Sequence, residues 1–240
     1  MLYGRNAVIE ALKSGHEIEK IFLQKGETEG SIKKIIGDAK KKGIITQDVE
    51  KPKLDELANG EKHQGVVAYV SAHSYSTIDA MLNDAKSKNE DPFLVILDNI
   101  QDPHNLGAII RTAHNAGAHG IIIPKRRAVG LTSTVAKSSA GAIEYMKIAK
   151  VTNIAQTIEE LKTKGVWIAC ADTTGEIIYQ ENLKGPIGIV IGSEGSGVSH
   201  NVKRKCDFVV SVPMYGKISS LNASVATALM CYEIVRQRNF

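Results

Sequence analysis

The chain has 240 residues, 43% of them hydrophobic, 23% charged and 5% aromatic, with a formal net charge of +4 and a pI near 8.8. This is an ordinary globular composition with room for one large core or two modest ones; it excludes collagen-like and disordered chains. The mild positive excess is compatible with a polyanionic partner without demanding one, and so few aromatic residues leave little for broad base-stacking platforms.

Taken in chain order, the first residues predict an α/β unit: a helix over Asn6–Lys13, a strand over Ile21–Gln24, and a helix with a basic face over Ser31–Lys42. A strand over Ile44–Gln47, a short helix over Leu54–Ala58 and a strand over Gly65–Val70 follow. Ser71–Ser76 is small and polar and reads as a linker; Ile78–Ala85 reads as helix and Lys86–Pro92 as a charged loop. The second unit predicts strands at Phe93–Leu97, Gly120–Ile123, Met146–Ile148, Val166–Ala169, Ile187–Ile191 and Phe208–Val212. Its helices fall at His104–Asn115, Leu131–Ser138, Ile154–Lys164 and Leu221–Arg238. Apolar strands each followed by a helix imply a mostly parallel sheet, whose ligands bind beyond the carboxyl ends of the strands. The expected division is 1–73, a linker with connecting helix over 74–92, and 93–240.

Cys170, Cys206 and Cys231 are odd in number and widely spaced, without a metal-ligand pattern, and read as small buried apolar residues; no metal is expected. No secretory start and no apolar run of membrane-spanning length is visible, so a cytoplasmic protein without a membrane partner is the expectation.

Three strand ends carry polar residues. After Leu97 comes Asp98-Asn99-Ile100-Gln101-Asp102-Pro103-His104-Asn105, where Pro103 fits a helix start and Asp102 its cap, with Arg111 six residues beyond Asn105 on a different helix face. After Ile191 comes Gly192-Ser193-Glu194-Gly195-Ser196-Gly197, a run that lets backbone approach a ligand closely. Its spacing is neither a Walker A motif nor the dinucleotide fingerprint, which disfavours a nucleoside triphosphate or NAD. After Val212 comes Pro213-Met214-Tyr215-Gly216-Lys217-Ile218-Ser219-Ser220-Leu221-Asn222-Ala223-Ser224, where Ser219 or Ser220 could cap the final helix. On the residues alone, each loop reads equally as a capped turn, with Glu194 at a helix start, or as part of a ligand site.

In order and spacing, these loops closely resemble the three motifs of the SpoU (TrmH-like, SPOUT) family of RNA ribose methyltransferases, over Phe93–Arg238. The first motif matches at Asn105 and Arg111, the second at Gly192–Gly197, the third at Ser219–Ser224. Tyr3-Gly4-Arg5-Asn6-Ala7-Val8 and His63-Gln64-Gly65-Val66 resemble, less specifically, the L30e-like RNA-binding domain some members carry. The two-domain layout is similar to bacterial enzymes that methylate a guanosine ribose in 23S rRNA.

The resemblance implies a Rossmann-like, mostly parallel sheet with a C-terminal trefoil knot, a homodimer whose active site borrows partner residues, and S-adenosylmethionine as cofactor, with S-adenosylhomocysteine as product. Carried over by position, Gly192, Ser193, Gly195, Val212, Met214 and Leu221 would contact the cofactor. Asn105, Arg111, Glu194, Ser220 and Asn222 would form the catalytic neighbourhood. The family proposal makes Arg111 the general base. A guanidinium with a pKa of roughly 12.5–13.8 suits equally a role holding phosphate and stabilising the developing alkoxide. Glu194 is expected to hydrogen-bond loop amides rather than act as an acid, and Ser220 and Asn222 to order the cofactor loop and the ribose. RNA-contact candidates are Arg5, Asn6, His63 and Gln64 in the first unit and Lys125, Arg126 and Arg127, with Lys137 nearby, in the second. The alternatives are a tRNA ribose methyltransferase, a non-catalytic RNA-binding assembly factor and, more remotely, a nicotinamide dehydrogenase.

Overall fold

The computed structural model describes residues 1–14, 16–27, 30–71 and 73–240, so Ala72 of the expected linker lies outside the described residues. The chain separates into two units, Met1–Ser74 and Tyr75–Phe240.

In the first unit a four-stranded sheet has the order β1-β4-β2-β3, from β1 (Leu2–Tyr3), β2 (Ile18–Gln24), β3 (Ile45–Val49) and β4 (Val66–Val70). Strand β4 runs antiparallel to β1 and β2, whereas β2 and β3 are parallel. Helices α1 (Arg5–Ser14) and α2 (Ser31–Lys41) bury Val8, Leu12, Ile32, Ile35 and Ala39 against Ile21, Leu23, Val66 and Ala68. Helix α3 (Lys51–Ala58) covers the opposite face through Leu54 and Ala58 on Val67. The two-residue β1 is too short to carry an alternation and had no sequence signal.

The second unit is a six-stranded, wholly parallel sheet of order β10-β8-β9-β5-β6-β7. Its strands are β5 (Phe93–Asp98), β6 (Gly120–Pro124), β7 (Ile148–Val151), β8 (Trp167–Ile177), β9 (Ile187–Gly192) and β10 (Phe208–Ser211). Its helices are α4 (Ile78–Ser87), α5 (Pro103–Asn115), α6 (Ser133–Ser138), α7 (Ile154–Thr163), α8 (His200–Lys203) and α9 (Ala223–Asn239). Strand side chains alternate between faces. Phe93, Val95 and Leu97 of β5 therefore join Ile109 of α5 and Ile234 of α9 in one core. Leu94 and Ile96 join Met81 of α4 and Ile158 of α7 in the other. Burial on both faces explains why these strands read as unbroken apolar runs.

Several boundaries differ from expectation. The strand expected over Met146–Ile148 begins only at Ile148, because Ala142–Glu144 forms a turn of 3-10 helix that carries the chain past Met146. The helix expected from Leu131 starts at Ser133, since Thr132 accepts a hydrogen bond from the Val135 amide and caps it. The charged loop after α4 is shorter than expected, because the helix continues to Ser87. Strand β8 extends eight residues past the expected Ala169. Its pairing with β10 jumps from Val209 opposite Cys170 to Val210 opposite Glu176, so residues 171–175 form an excursion at the sheet top. Cys170 and Cys231 are buried as expected, but Cys206 is only half-buried.

His119 ties the start of β5 to the preceding loop. It is 4% exposed; its Nδ1 accepts from the Phe93 amide at 3.0 Å and its Nε2 donates to Glu90 at 3.1 Å. Burial holds its pKa below the ordinary 6.5, against the opposing pull of Glu90. In the unfolded chain this histidine takes up a proton below about pH 6.5 while the folded form stays neutral. It therefore removes stability as pH falls through that value, until the depressed folded pKa is reached. Urea unfolding at pH 7.5 and 5.5 should show His119→Gln losing less stability than wild type over that interval; equal losses would contradict the assignment.

Candidate active site

Parallel pairing of β5 with β9 sets Asp98 beside Gly192, so the loops after these two strands emerge together. Asp98, buried at the end of β5, accepts the Ser199 amide at 2.8 Å and pins the far end of the glycine loop. Within that loop Gly197 donates its amide to the Ser193 carbonyl at 2.9 Å, and the hydroxyls of Ser193 and Ser196 lie 2.7 Å apart. A Cβ at position 192 would sit 2.0 Å from the carbonyl carbon of Gly197, and Gly197 itself has φ +63. Position 192 admits no side chain without displacing backbone, and Gly197 holds a left-handed conformation that strains residues with a Cβ.

The third loop is joined to the first two by side chains. Asn222 caps α9: its Oδ1 accepts from the Ser224 and Val225 amides at 2.9 and 3.3 Å. Ser219 and Ser220, the expected caps, lie too early for this, because the helix starts at Ala223. With Oδ1 committed to the cap, the Asn222 Nδ2 must point the other way. There it donates to Asn105 Oδ1 at 3.0 Å and to Glu194 Oε1. Asn105, buried in the first turn of α5, in turn donates its Nδ2 to Glu194 Oε1 at 3.1 Å. Glu194 thus accepts from two side-chain amides, not from loop backbone as expected, and it lies in a turn rather than at a helix start. The Asp102 cap of α5 is as expected, accepting from the His104 amide at 2.8 Å.

The second and third loops line a cavity of about 390 Å³, within the ordinary range of small-molecule sites; Asn105 of the first loop and Asn222 are not among its lining residues and reach it through Glu194. Its floor is apolar (Ile191, Val210, Ala226, Met230), and its rim includes Gly192, Ser193, Glu194, Gly195, Val212, Met214, Ser220 and Leu221. Ala171, Asp172 and Thr173 of the β8 excursion complete it. Sequence reading missed these three; the signal was the polar, glycine-ended run Asp172-Thr173-Thr174-Gly175 directly after a buried strand. Burial tends to raise the Asp172 pKa, but hydrogen bonds from Thr174 and Lys203 prevail and hold it below the usual carboxylate value. The ionisable side chains lining the cavity are therefore carboxylates, Asp172 and Glu194. This wall, with backbone polar groups and an apolar floor, suits a compact organic cation and repels polyphosphate. Among the described residues, no group of three or more His, Cys, Asp or Glu is placed to hold a metal.

Other expected residues lie apart. Arg111 is exposed on α5 and is not among the cavity-lining residues. Six residues turn the helix by about 240° from Asn105, and Arg111 makes no hydrogen bond or ion pair with the described residues. Lys125, Arg126 and Arg127 are exposed beyond β6. In the first unit, Arg5 is engaged internally: its Nε donates to the Gln64 carbonyl at 2.9 Å and its guanidinium pairs with Glu27 at 2.6 Å. His63 is buried; its Nδ1 accepts the Gly65 amide and its Nε2 donates to Asp55 at 2.9 Å. It shapes the turn before β4, whereas Asn6 is exposed on α1.

A parallel sheet with a polar-rimmed cavity at the carboxyl ends of its strands places the chain among the α/β proteins that bind a small ligand there. The SpoU rRNA methylase family profile matches residues 92–232, and a profile described as RNA 2'-O ribose methyltransferase substrate binding matches residues 1–76. YacO of Bacillus subtilis, named for the TrmH family of tRNA/rRNA methyltransferases, is 51% identical over 98% of this chain and 95% of its own length. An AdoMet-bound rRNA methyltransferase from Sinorhizobium meliloti superposes with TM-score 0.60 at 23% identity, over 98% of this chain and 86% of that one. A TrmH/SpoU tRNA-modifying enzyme from A. aeolicus superposes with TM-score 0.56 at 27% identity, over 65% of this chain and 83% of that one. The chain belongs to the SpoU (TrmH) family. It is an S-adenosylmethionine-dependent RNA methyltransferase.

Replacing Glu194 with Ala strands the buried Asn105 amide and unties the glycine loop; loss of about one such bond corresponds to roughly tenfold weaker S-adenosylmethionine binding by calorimetry. Glu194→Gln keeps an accepting oxygen, and with it the loop tie, but gives up a negative charge, so it should bind less tightly than wild type and more tightly than Glu194→Ala while keeping turnover at saturating cofactor. Retained affinity with abolished turnover would instead make Glu194 an acid.

Proposed function

We propose that the enzyme methylates a ribose 2'-hydroxyl of a guanosine in 23S rRNA, working as a homodimer. The observation that carries this reading is the tie among Asn105, Glu194 and Asn222, which joins the three family motifs beside one cofactor-sized cavity that Glu194 lines. The match of residues 1–76 to a substrate-binding profile for ribose 2'-O methylation supports the target atom. The rRNA enzyme from S. meliloti aligns with nearly the whole chain and the tRNA enzyme from A. aeolicus with about two-thirds of it, which supports rRNA.

S-adenosylmethionine, when bound, supplies an electrophilic methyl on a sulfonium sulfur. The cavity lining holds that molecule, with the carboxylates of Asp172 and Glu194 offsetting its charge. The remaining tasks are to align the ribose oxygen and to manage its proton. In this reading Ser220, on the cavity rim, and Asn222 order the loop that faces the ribose. Arg111 holds the adjacent phosphate and stabilises the alkoxide as the proton leaves. Its position away from the cavity of its own chain supports a site completed by a second copy. So does the exposed apolar stripe Val225, Leu229 and Tyr232 on α9, at helical spacing. Lys125, Arg126 and Arg127 are assigned to backbone phosphates. The threaded C-terminal segment belongs to the same reading.

Arg111→Ala should lower kcat/KM on RNA by about 100-fold or more while leaving S-adenosylmethionine affinity unchanged. Co-expressing Arg111→Ala with Gly192→Ala, each inactive alone, should restore about a quarter of wild-type activity if sites are shared across a twofold dimer. No recovery would place Arg111 in its own chain's site. Ribose-methylation mapping of RNA from a strain lacking the gene should show one guanosine mark lost from 23S rRNA and regained on complementation. Loss from tRNA alone would overturn the rRNA assignment.

A further inference from the structure

Helix α2 carries a concentration of charge that neither the fold nor the cavity uses. At 100° per residue, Lys33, Lys34, Lys40 and Lys41 fall within an arc of about 120°, opposite the buried Ile32, Ile35 and Ala39. All four are exposed, and none forms an ion pair or hydrogen bond with the described residues. Gly37 sits in the middle of the arc, and a Cβ there would meet nothing within 4 Å. The lysine face is therefore open over the bare helix backbone.

The placement is unfavourable for the helix itself. Lys40 and Lys41 suit the last turn, where partial negative charge gathers, but Lys33 and Lys34 occupy the first turn, where the macrodipole is positive. That turn has no acidic residue and its Gly30 cap contributes no side-chain hydrogen bond. Local stability would select Asp or Glu at these positions. Of the four residues that sequence similarity nominates for RNA contact in this unit, Asn6 is exposed but three are engaged internally: Arg5 with Glu27 and Gln64, and His63 with Asp55 and Gly65.

We propose that the lysine face of α2 is a phosphate-contact surface for an RNA segment flanking the methylated nucleotide. Its two pairs, Lys33 with Lys40 and Lys34 with Lys41, repeat about 10 Å apart along the axis. That layout follows a sugar-phosphate ridge without reading bases, so it supplies affinity and orientation rather than sequence choice. The inference rests on the RNA-substrate reading of the first unit, but not on which RNA is modified.

The test compares Lys33→Gln/Lys34→Gln with a control of equal charge loss on another helix, Lys51→Gln/Lys53→Gln, in the full chain. Binding to transcribed 23S rRNA and to bulk tRNA is measured across salt concentrations, alongside S-adenosylmethionine calorimetry and thermal unfolding. The α2 pair should weaken binding at least tenfold to whichever RNA wild type binds, and flatten the log K against log salt slope by about 1.4–1.8. Its cofactor affinity should be unchanged and its Tm equal to or above wild type, because two charges leave an unfavourable helix end. Lys33→Arg/Lys34→Arg should restore binding. Equal RNA affinity and slope in the α2 pair and the control would overturn the proposal. So would intact RNA binding with lost binding to phosphatidylglycerol vesicles, which would assign the face to a membrane surface. Wild type binding and methylating tRNA rather than rRNA would overturn the substrate assignment and leave this comparison to be read on tRNA.

Discussion

The geometry of the site depends on a single commitment by Asn222. A helix start leaves amide N–H groups without partners, and an asparagine at the cap satisfies them with its Oδ1. Because the two ends of a carboxamide are chemically opposite, this fixes Nδ2 as an outward donor. Glu194 and the Asn105 Oδ1 receive it, and Asn105 is thereby oriented to donate to Glu194 as well. The cap of α9, the glycine loop after β9 and the first turn of α5 are thus one hydrogen-bonded object, made of residues 28 to 117 positions apart. Disturbing any member unsatisfies the others, which is how such networks specify a single arrangement.

The sheet makes that commitment reachable. Strands β5 and β9 are neighbours in register, so their loops leave the same edge side by side, with Asp98 holding the Ser199 amide as a second tie. Strand β8 lies between β9 and β10 and releases residues 171–175 where its pairing with β9 ends at Cys170. Gly175 is required there: a Cβ would fall 2.5 Å from the backbone of Val209. Lys203 of α8 then pins the excursion through Asp172 and Thr174. The cavity wall is therefore a deliberate interruption of a strand, stabilised from outside by an ion pair.

What could be read from the sequence divides along the distance over which the cause acts. Buried parallel strands such as β5, β6 and β9 announce themselves by composition, and the Asp102-Pro103 start of α5 is a local signal with a local cause. The cap of α9 was misplaced because three candidate residues lie within four positions and only the length of the helix decides among them. The partners of Glu194 were misread because both lie far away in the chain, at the starts of α5 and α9. The excursion in β8 escaped notice because a polar run after a strand is read as its end, and nothing local says that pairing resumes at Glu176. His63 was read as a surface contact for a similar reason: its hydrogen-bond partner Asp55 lies on a different element. The motif residues were legible as a set, through resemblance; their mutual geometry was not.

The distribution of unpaired charge bears on how a protein of net charge +4 engages a polyanion. Many of its cations are spent internally: Lys162 on Asp207, Lys203 on Asp172, Arg5 on Glu27, and Arg238 on the carbonyls of Asp91, Pro92 and Gly185. Among the described cations without an ion pair, four lie on α2, three on the loop after β6 and one at Arg111, while others such as Lys51, Lys62, Lys86, Lys184, Arg204 and Lys217 are spread singly over the surface. Counterion release depends on how many phosphates are neutralised, not on the sum over the whole surface. A modest net charge is therefore compatible with strong local fields, provided that structural ion pairs neutralise the charges elsewhere. The acidic cavity fits the same logic. Its carboxylates discourage phosphate from entering the pocket.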